Sequence, residues 1–327
     1  MKKKLMVLMS VMLLLTMFGC SSDSEPIQVE EAIDEITEET VEASEESEEE
    51  NSQVALVDRA GNAIEPLESY TTIISYAPSL TEILVDLGYA DAIVAITNVD
   101  TTEGLSEEVV LFDMMNPDLE LMTALAPDLI LSTELTAAGQ SDPFADLIAG
   151  GTTVANIPTA TTIADIYLDI EFMGELLSVA EKADVLIEDM QSDIANITER
   201  VSGVEEKKSV YFEISAAPYM FGTGVNTYLS EMIELAGGVN ALGDVESWIA
   251  TTDEMIVAAN PDVILTNVNY IDAPVEEIMG RNGWDVVTAV ANAQVHEIDN
   301  MSSSLPNHNI VKALNEMVVA LYPELME

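Results

Sequence analysis

A stretch with helical periodicity and without proline divides the apolar part of this sequence into two halves. From Thr162 to Val201 the only glycine is Gly174, and apolar residues recur every three or four positions. The pattern corresponds to about ten helical turns. A helix of this length in the middle of a chain usually bridges domains. The sequence therefore predicts one inter-lobe helix over residues 162–202.

Apolar strand-like runs alternate with amphipathic stretches on both sides of this helix. Predicted strands cover residues 72–75, 92–96, 127–131, 153–157, 209–214 and 261–265, predicted helices cover 80–87, 119–126, 144–149, 229–236 and 252–259, and further elements cover 275–279, 295–298 and 310–321. Such alternation indicates βαβ units and a mostly parallel sheet. We predict an α/β fold with two Rossmann-like lobes, residues 54–161 and 203–327, bridged by the long helix.

Two local matches support the idea that the halves repeat one plan. The segment 123–131 parallels 257–265, and both contain Pro-Asp before an apolar strand. The segment 79–88 parallels 228–237, and both carry a glutamate on a helix that ends in glycine. Ligands of such sheets bind outside the carboxyl ends of the strands, so two facing lobes would share one cleft.

The first twenty residues are typical of a bacterial leader rather than of a fold. Lys2, Lys3 and Lys4 precede an apolar run over residues 5–18, which is shorter than the about 20 residues of a membrane span. The run ends at Gly19-Cys20, and Cys20 is the single cysteine of the chain. This resembles a lipobox, although Met17-Phe18 departs from its usual residues. We predict a signal peptide over residues 1–20 and lipid attachment to Cys20, with an ordinary signal peptide as the alternative.

The charge of the chain is strongly negative. Residues 21–53 contain fourteen acids and neither Lys nor Arg, which predicts a disordered tether. The rest of the chain carries 46 acidic and seven basic residues. This balance excludes a general role in nucleic-acid binding, which needs a basic face. It also disfavours binding of anionic lipid through the folded part. Without a second cysteine, we expect no disulfide.

Three segments resemble the binding proteins of ABC importers for iron-siderophores, haem and cobalamin. They are Tyr76–Gly88, the stretch from Asn116 to Ile130, and Tyr228–Asn240 with its Ala-Gly-Gly-Val-Asn end. The resemblance covers about residues 73–323. It implies two lobes on a rigid helix, binding without chemistry, and delivery of the ligand to an ABC permease with its ATPase. It also implies a monomer anchored on the extracytoplasmic face of the membrane through Cys20.

The docking glutamates of that family carry over to Glu82 and Glu231. Two exposed acids, one on each lobe, would fix the orientation of the permease and speed encounter. Each has a structural alternative. Ser79 and Glu82 match a capping box, and Glu231 lies near a helix start, where an acid favours the helix dipole.

The loops that follow the strands predict the residues facing the ligand. The candidates are Tyr76, Pro78, Met114, Met115, Asn116 and Glu134 in the first lobe, and Tyr219, Trp248, Asn267, Tyr270 and Ser302 in the second. Trp248 is the leading candidate, because the cobalamin binders of the family place an aromatic residue there, in a loop; packing within the lobe is the alternative. Met114 and Met115 suit adaptable contacts or core filling.

The basic residues restrict the chemistry of the ligand. Arg59, Arg200 and Arg281 are the only arginines beyond the leader and tether, and none falls in the predicted cleft loops. An anionic chelate would therefore be unfavourable, and a corrinoid or a neutral iron complex is expected. Haem remains an alternative, with Tyr76, Tyr219, Tyr270 and His308 as axial candidates. With two histidines, a bare zinc site is not expected, and no protein-bound cofactor is predicted.

An enzyme and an adhesin-type surface lipoprotein are the competing classes. The sequence lacks Gly-x-Ser-x-Gly, a phosphate-binding loop and a Cys/His dyad, and Gly222-Thr-Gly224 is too short for a dinucleotide fingerprint. We therefore predict a binding protein rather than an enzyme. An adhesin would need neither affinity for a small ligand nor a permease.

Overall fold

The computed structural model describes residues 55–116, 118–134 and 143–326. The predicted leader, the lipidation site Cys20 and the acidic segment 21–53 lie outside the described residues. Within the described part, two α/β lobes confirm the predicted fold class.

The first lobe is built on a five-stranded parallel sheet. Its strands are β3 (Ile73–Ser75), β4 (Ile93–Thr97), β5 (Val110–Phe112), β6 (Leu129–Ser132) and β7 (Thr153–Asn156), in the order β5-β4-β3-β6-β7. Helices α1 (Pro78–Asp86), α2 (Leu119–Leu125) and α3 (Ala145–Ala149) connect them. A short antiparallel hairpin, β1 (Leu56–Val57) and β2 (Ala63–Ile64), precedes the sheet. The strands are apolar on both faces, as a sheet covered by helices requires.

The second lobe has a mixed sheet. Its strands are β8 (Ser209–Ser215), β9 (Phe221–Thr223), β10 (Val239–Asn240), β11 (Trp248–Ala250), β12 (Val263–Thr266) and β13 (Val295–Glu297). The order is β11-β9-β8-β12-β13, and β10 also pairs with β8. Strands β8, β10, β12 and β13 run parallel to one another. Strand β9 runs antiparallel to both of its neighbours, β8 and β11. The helices are α6 (Tyr228–Leu235), α7 (Asp253–Ala259), α8 (Pro274–Met279), α9 (Thr288–Ala291), α10 (Asn300–Ser304) and α11 (Ile310–Leu321).

The repeated Pro-Asp has the same structural role in both lobes. The Asp128 carboxylate accepts hydrogen bonds from the backbone N–H groups of Thr71 (2.8 Å) and Thr72 (3.0 Å), just before β3. The Asp262 carboxylate accepts one from Ser209 N–H at 2.9 Å, at the start of β8. Each aspartate therefore fixes the start of the neighbouring central strand, where a backbone donor would otherwise lack a partner.

The prediction of one continuous inter-lobe helix is wrong. The segment forms two helices, α4 (Ile163–Leu176) and α5 (Ala180–Val201), separated by Leu177–Val179. Ser178 between them has φ of 58°, a left-handed conformation that ends a helix. Helix α5 contacts both lobes. Lys182 at its start donates to Leu87 O in the first lobe, and Arg200 at its end donates to Asn315 in the second.

Helices α4 and α5 pack closely against each other at Gly174. A Cβ added to Gly174 would lie 2.3 Å from the Cβ of Ala183 and 3.4 Å from the Cα of Ala180. The only glycine of the helical stretch is thus required by packing, although glycine inside a helix normally weakens it. Buried apolar residues of both lobes and of these helices form one continuous cluster, which fixes the lobes on their bridge.

Replacing Gly174 with alanine is expected to destabilise the protein by about 1–3 kcal/mol, because the added methyl group overpacks the α4–α5 contact. Urea-induced unfolding measures the change. Gly203→Ala is the matched control, since no described atom apart from its chain neighbours lies within 4 Å of a Cβ placed there. Equal free energies of unfolding for the two variants would contradict the prediction.

Candidate functional site: the cleft between the lobes

Two adjoining cavities lie between the lobes, at the carboxyl ends of the sheet strands. The larger has a volume of about 310 Å³ and the smaller about 160 Å³, and both are lined by Thr159, Ser304 and Pro306. Thr159 follows β7 of the first lobe, whereas Ser304 and Pro306 follow β13 of the second. The walls therefore come from strand-end loops of both lobes, as expected for a parallel α/β sheet.

The larger cavity has one apolar and one polar wall. Trp248 packs edge-on against Tyr228 with ring centroids 5.6 Å apart, beside Ile214 and Leu229. On the polar wall, Asn267 Nδ2 donates to the hydroxyl oxygens of Ser303 (2.9 Å) and Ser304 (3.0 Å). The described residues that line this cavity carry no charge. Such a surface suits an uncharged organic ligand with both apolar and hydrogen-bonding parts.

Helix α10 positions the serines of the polar wall. Asp299 is its N-cap, and Oδ1 accepts from Ser302 N–H (2.9 Å) and from the Ser302 hydroxyl (2.7 Å). Lys312 lies 2.8 Å from Oδ2. Burial alone would raise the pKa of Asp299, but the hydrogen bonds from Lys312 and Ser302 lower this pKa to about 2. The cap therefore stays ionised at neutral pH and holds the following serines against the cleft.

A charged pair lies at the smaller cavity. Asp169 of α4 lines it together with Pro78, Thr133 and Leu305. Arg59, from the turn between β1 and β2, donates to both Asp169 oxygens and to the carbonyl of Pro158. Burial raises the pKa of Asp169 to about 6, although the Arg59 guanidinium acts in the opposite direction. Because Arg59 also donates to the Pro158 carbonyl, the pair holds the loop that contains Thr159.

Several predicted ligand residues lie at the cavities and others do not. Trp248 and Asn267 line the larger cavity and Pro78 lines the smaller. Trp248 is the first residue of edge strand β11 rather than a loop residue, which corrects that detail of the prediction. Ser302 is buried and bonded to Asp299, so its place on the cavity wall is taken by Ser303 and Ser304.

Tyr76 is a core residue, and its assignment to the cleft surface is wrong. Its ring is fully buried and packs against Phe112 and Phe144, with centroids at 4.7 and 5.3 Å. Its hydroxyl donates to the sulfur of Met122, and burial raises its pKa. Met114 packs partly against the same cluster.

The remaining predicted ligand residues are exposed and lie outside the two cavities. Met115 is 72% exposed, Tyr219 79% and Tyr270 63%, and Asn116 is exposed as well. The Tyr270 hydroxyl accepts from Ala216 N–H at 2.8 Å, which links two strand-end loops of the second lobe. Glu134 accepts from Thr159 N–H at 2.8 Å and so supports the cavity wall from outside.

Sequence reasoning missed most of the cavity wall. Thr159, Leu229, Ser304 and Pro306 were not among the predicted ligand residues. Residue 159 follows a strand that the apolar pattern located, so the rule of strand-end loops could have included it. Leu229 belongs to the repeated glutamate-bearing helix, which the sequence assigned to docking alone.

Neither predicted docking glutamate is a free carboxylate. Glu82 Oε2 accepts from the side-chain amides of Asn307 (2.7 Å) and Asn309 (2.9 Å) of the second lobe. Glu231 Oε2 accepts from Ile163 N–H (2.8 Å), the first residue of α4. The alternative capping role of Glu82 is wrong, because α1 begins at Pro78 with Ala77 as its N-cap. Both side chains are partly buried rather than exposed.

The two histidines are separate from the cavities. His308 is buried, and its Nε2 lies 2.5 Å from Asp86 Oδ2 of α1. His296 lies on β13, where burial lowers its pKa. Within residues 55–116, 118–134 and 143–326, no three His, Cys, Asp or Glu side chains are grouped so that they could hold a metal ion.

Two α/β lobes joined by a helix, with a cavity at their facing strand ends, define a class of solute-binding proteins. The family model described as periplasmic binding protein matches residues 73–301. The ABC transporter substrate-binding lipoprotein YvrC of Bacillus subtilis is 32% identical over 254 residues, which are 77% of this chain and 80% of YvrC. This chain belongs to the periplasmic binding protein family of ABC transporter substrate-binding proteins, which confirms the resemblance seen in the sequence.

Two further similar proteins have names that include a ligand. A cobalamin-binding protein of Halobacterium salinarum is 24% identical over 277 residues, which are 81% of this chain and 73% of the relative. The solved structure of a possible iron-binding, periplasmic solute-binding protein from Staphylococcus epidermidis has a TM-score of 0.70 and 28% identity, and covers 78% of this chain and 100% of its own. None of the helices in the described part of the chain is long and apolar enough to cross a membrane.

Proposed function

We propose that this protein binds a bulky, uncharged metal chelate, either a corrinoid or a neutral iron complex, and delivers it to an ABC permease and its ATPase. The observation that carries the proposal is the larger cavity, which joins an indole and a phenol ring to an Asn-Ser wall without a charged side chain. Burial of an anionic chelate there would lack a compensating cation. The cobalamin-binding relative supports the same ligand class.

Anchoring and assembly belong to this proposal. We infer that Cys20 carries the lipid, that the folded part acts as a monomer on the extracytoplasmic face, and that binding proceeds without catalysis. The lipoprotein relative supports the anchor.

Calorimetric titration of the full chain tests the ligand class. Cyanocobalamin, a neutral ferric hydroxamate, hemin and an anionic ferric catecholate are the probes. We expect saturable binding of one uncharged chelate per chain and much weaker binding of the catecholate. Preference for the catecholate, or turnover of any chelate, would overturn the proposal. Tight hemin binding would instead favour haem, with exposed Tyr219 or Tyr270 as the axial ligand to test by substitution.

Replacing Trp248 with alanine is expected to weaken chelate binding by about 1–3 kcal/mol, because the indole forms much of the apolar wall. Calorimetry with the chelate that binds wild type measures the loss. Phe221→Ala on the neighbouring strand β9 is the control, since Phe221 does not line either cavity. Unchanged affinity in the Trp248 variant would remove this residue from the site.

A further inference from the structure

The two glutamates predicted to dock onto the permease each accept hydrogen bonds from residues outside their own lobe. Glu82 belongs to α1 of the first lobe, and its partners Asn307 and Asn309 belong to the second. Glu231 belongs to α6 of the second lobe, and its partner Ile163 directly follows the first lobe. The Glu82 carboxylate therefore holds the two lobes to each other, whereas the Glu231 carboxylate holds the second lobe to the inter-lobe segment.

The segment that binds Glu82 is also a wall of the cleft. Pro306 lines both cavities, and Asn307 and Asn309 follow it directly. Asn307 is fully buried, its Oδ1 accepts from Asn309 N–H at 2.9 Å, and its amide nitrogen is thereby turned toward Glu82. One helical turn after Glu82, Asp86 binds His308 of the same segment. The position of the wall thus depends on contacts with α1.

One oxygen of Glu82 accepts from both asparagines. A carboxylate oxygen has two lone pairs, and Oε2 accepts two hydrogen bonds, from Asn307 and Asn309. Removal of this single carboxylate therefore takes away an acceptor from both side-chain amides.

We infer that Glu82, Asn307 and Asn309 form an inter-lobe clamp that holds the 306–309 wall against the first lobe. Asn307 and Asn309 are positioning residues, since they act on the cleft through the wall. Loss of the carboxylate removes the acceptor that both amides share, so we expect the wall to move away from the first lobe. The clamp is argued from these contacts and does not depend on the proposed function.

The clamp is tested by the distance between the lobes. In the full chain with Cys20 replaced by Ser, no other cysteine is present, so spin labels at Asp146→Cys and Glu276→Cys report one distance. Both positions are exposed, one on each lobe. We expect Glu82→Ala to broaden the distance distribution and lengthen its mean by more than about 2 Å, the scale of a domain rearrangement. Asn309→Ala, a milder change, should shift it in the same direction.

Another exposed acid of the first lobe provides the control for the distance measurement. Glu120→Ala removes an exposed acid of α2, and its distance distribution should equal that of wild type. Unchanged distances in both Glu82→Ala and Asn309→Ala overturn the clamp. If these variants move the lobes but no chelate binds and no uptake depends on Glu82, the proposed function fails while the clamp stands.

Discussion

Replacing Arg281 with methionine is expected to lower the free energy of unfolding by about 3–5 kcal/mol, because it leaves a buried carboxylate without its cation. Arg281 binds both Glu213 oxygens, at 2.7 and 2.8 Å, and also pairs with Glu277. The Arg281 and Glu213 side chains are 6% and 1% exposed. Urea-induced unfolding at pH 7 measures the loss.

The control separates this buried pair from a surface pair. Lys312→Ala removes an ion pair whose lysine is 59% exposed, and it should cost at most about 1 kcal/mol. The double variant Glu213→Gln with Arg281→Met should recover part of the stability lost in the single variant, since it removes the uncompensated charge. An Arg281→Met cost no greater than that of Lys312→Ala would contradict the argument.

The cost of Arg281→Met should also depend on pH. Burial raises the pKa of Glu213 above its usual value, even though Arg281 acts in the opposite direction. The folded protein then binds a proton at a pH where the unfolded chain does not, so lowering the pH toward 4.5 favours the folded state. Without Arg281 the pKa of Glu213 should rise further. The difference in free energy of unfolding between wild type and the Arg281→Met variant should therefore become smaller as the pH falls.

The fold was predictable where the signal is local. Strands β3, β4, β6 and β12 are short apolar runs, and helices α1, α6 and α11 carry clear periodicity, so their positions followed from the sequence within about two residues. The Pro-Asp repeat was recognisable because the same backbone requirement exists at Thr72 and Ser209.

The sequence predictions are wrong at positions whose conformation or burial depends on contacts with residues distant in the chain. The end of α4 depends on a left-handed Ser178 and on packing of Gly174 against Ala183, neither of which changes the apolar period. Tyr76 follows a strand as a cleft residue would, but Phe112 and Phe144 from other segments enclose it. The partners of Glu82 lie about 225 residues away, so a short motif such as a capping box could not reveal them.

Replacing both Glu82 and Glu231 with alanine is expected to reduce uptake tenfold or more, since loss of one partner from a buried interfacial charge pair costs about 2–5 kcal/mol. Uptake by cells carrying the variant gene in place of wild type, with the chelate identified by calorimetry, measures the effect. Ligand affinity should change less, because neither carboxylate lines the two cavities.

Two controls distinguish a loss of docking from a loss of net charge and from a loss of contacts between the lobes. Glu120→Ala with Glu234→Ala removes two exposed acids, one on each lobe, and should leave uptake unchanged if position rather than net charge matters. Asn307→Ala with Asn309→Ala loosens the same wall but keeps both glutamates, so its uptake should stay well above that of the glutamate variant. Normal transport by the Glu82 and Glu231 double variant would show that the permease binds elsewhere. Equal loss in the asparagine variant would show that the glutamates serve transport only through lobe geometry.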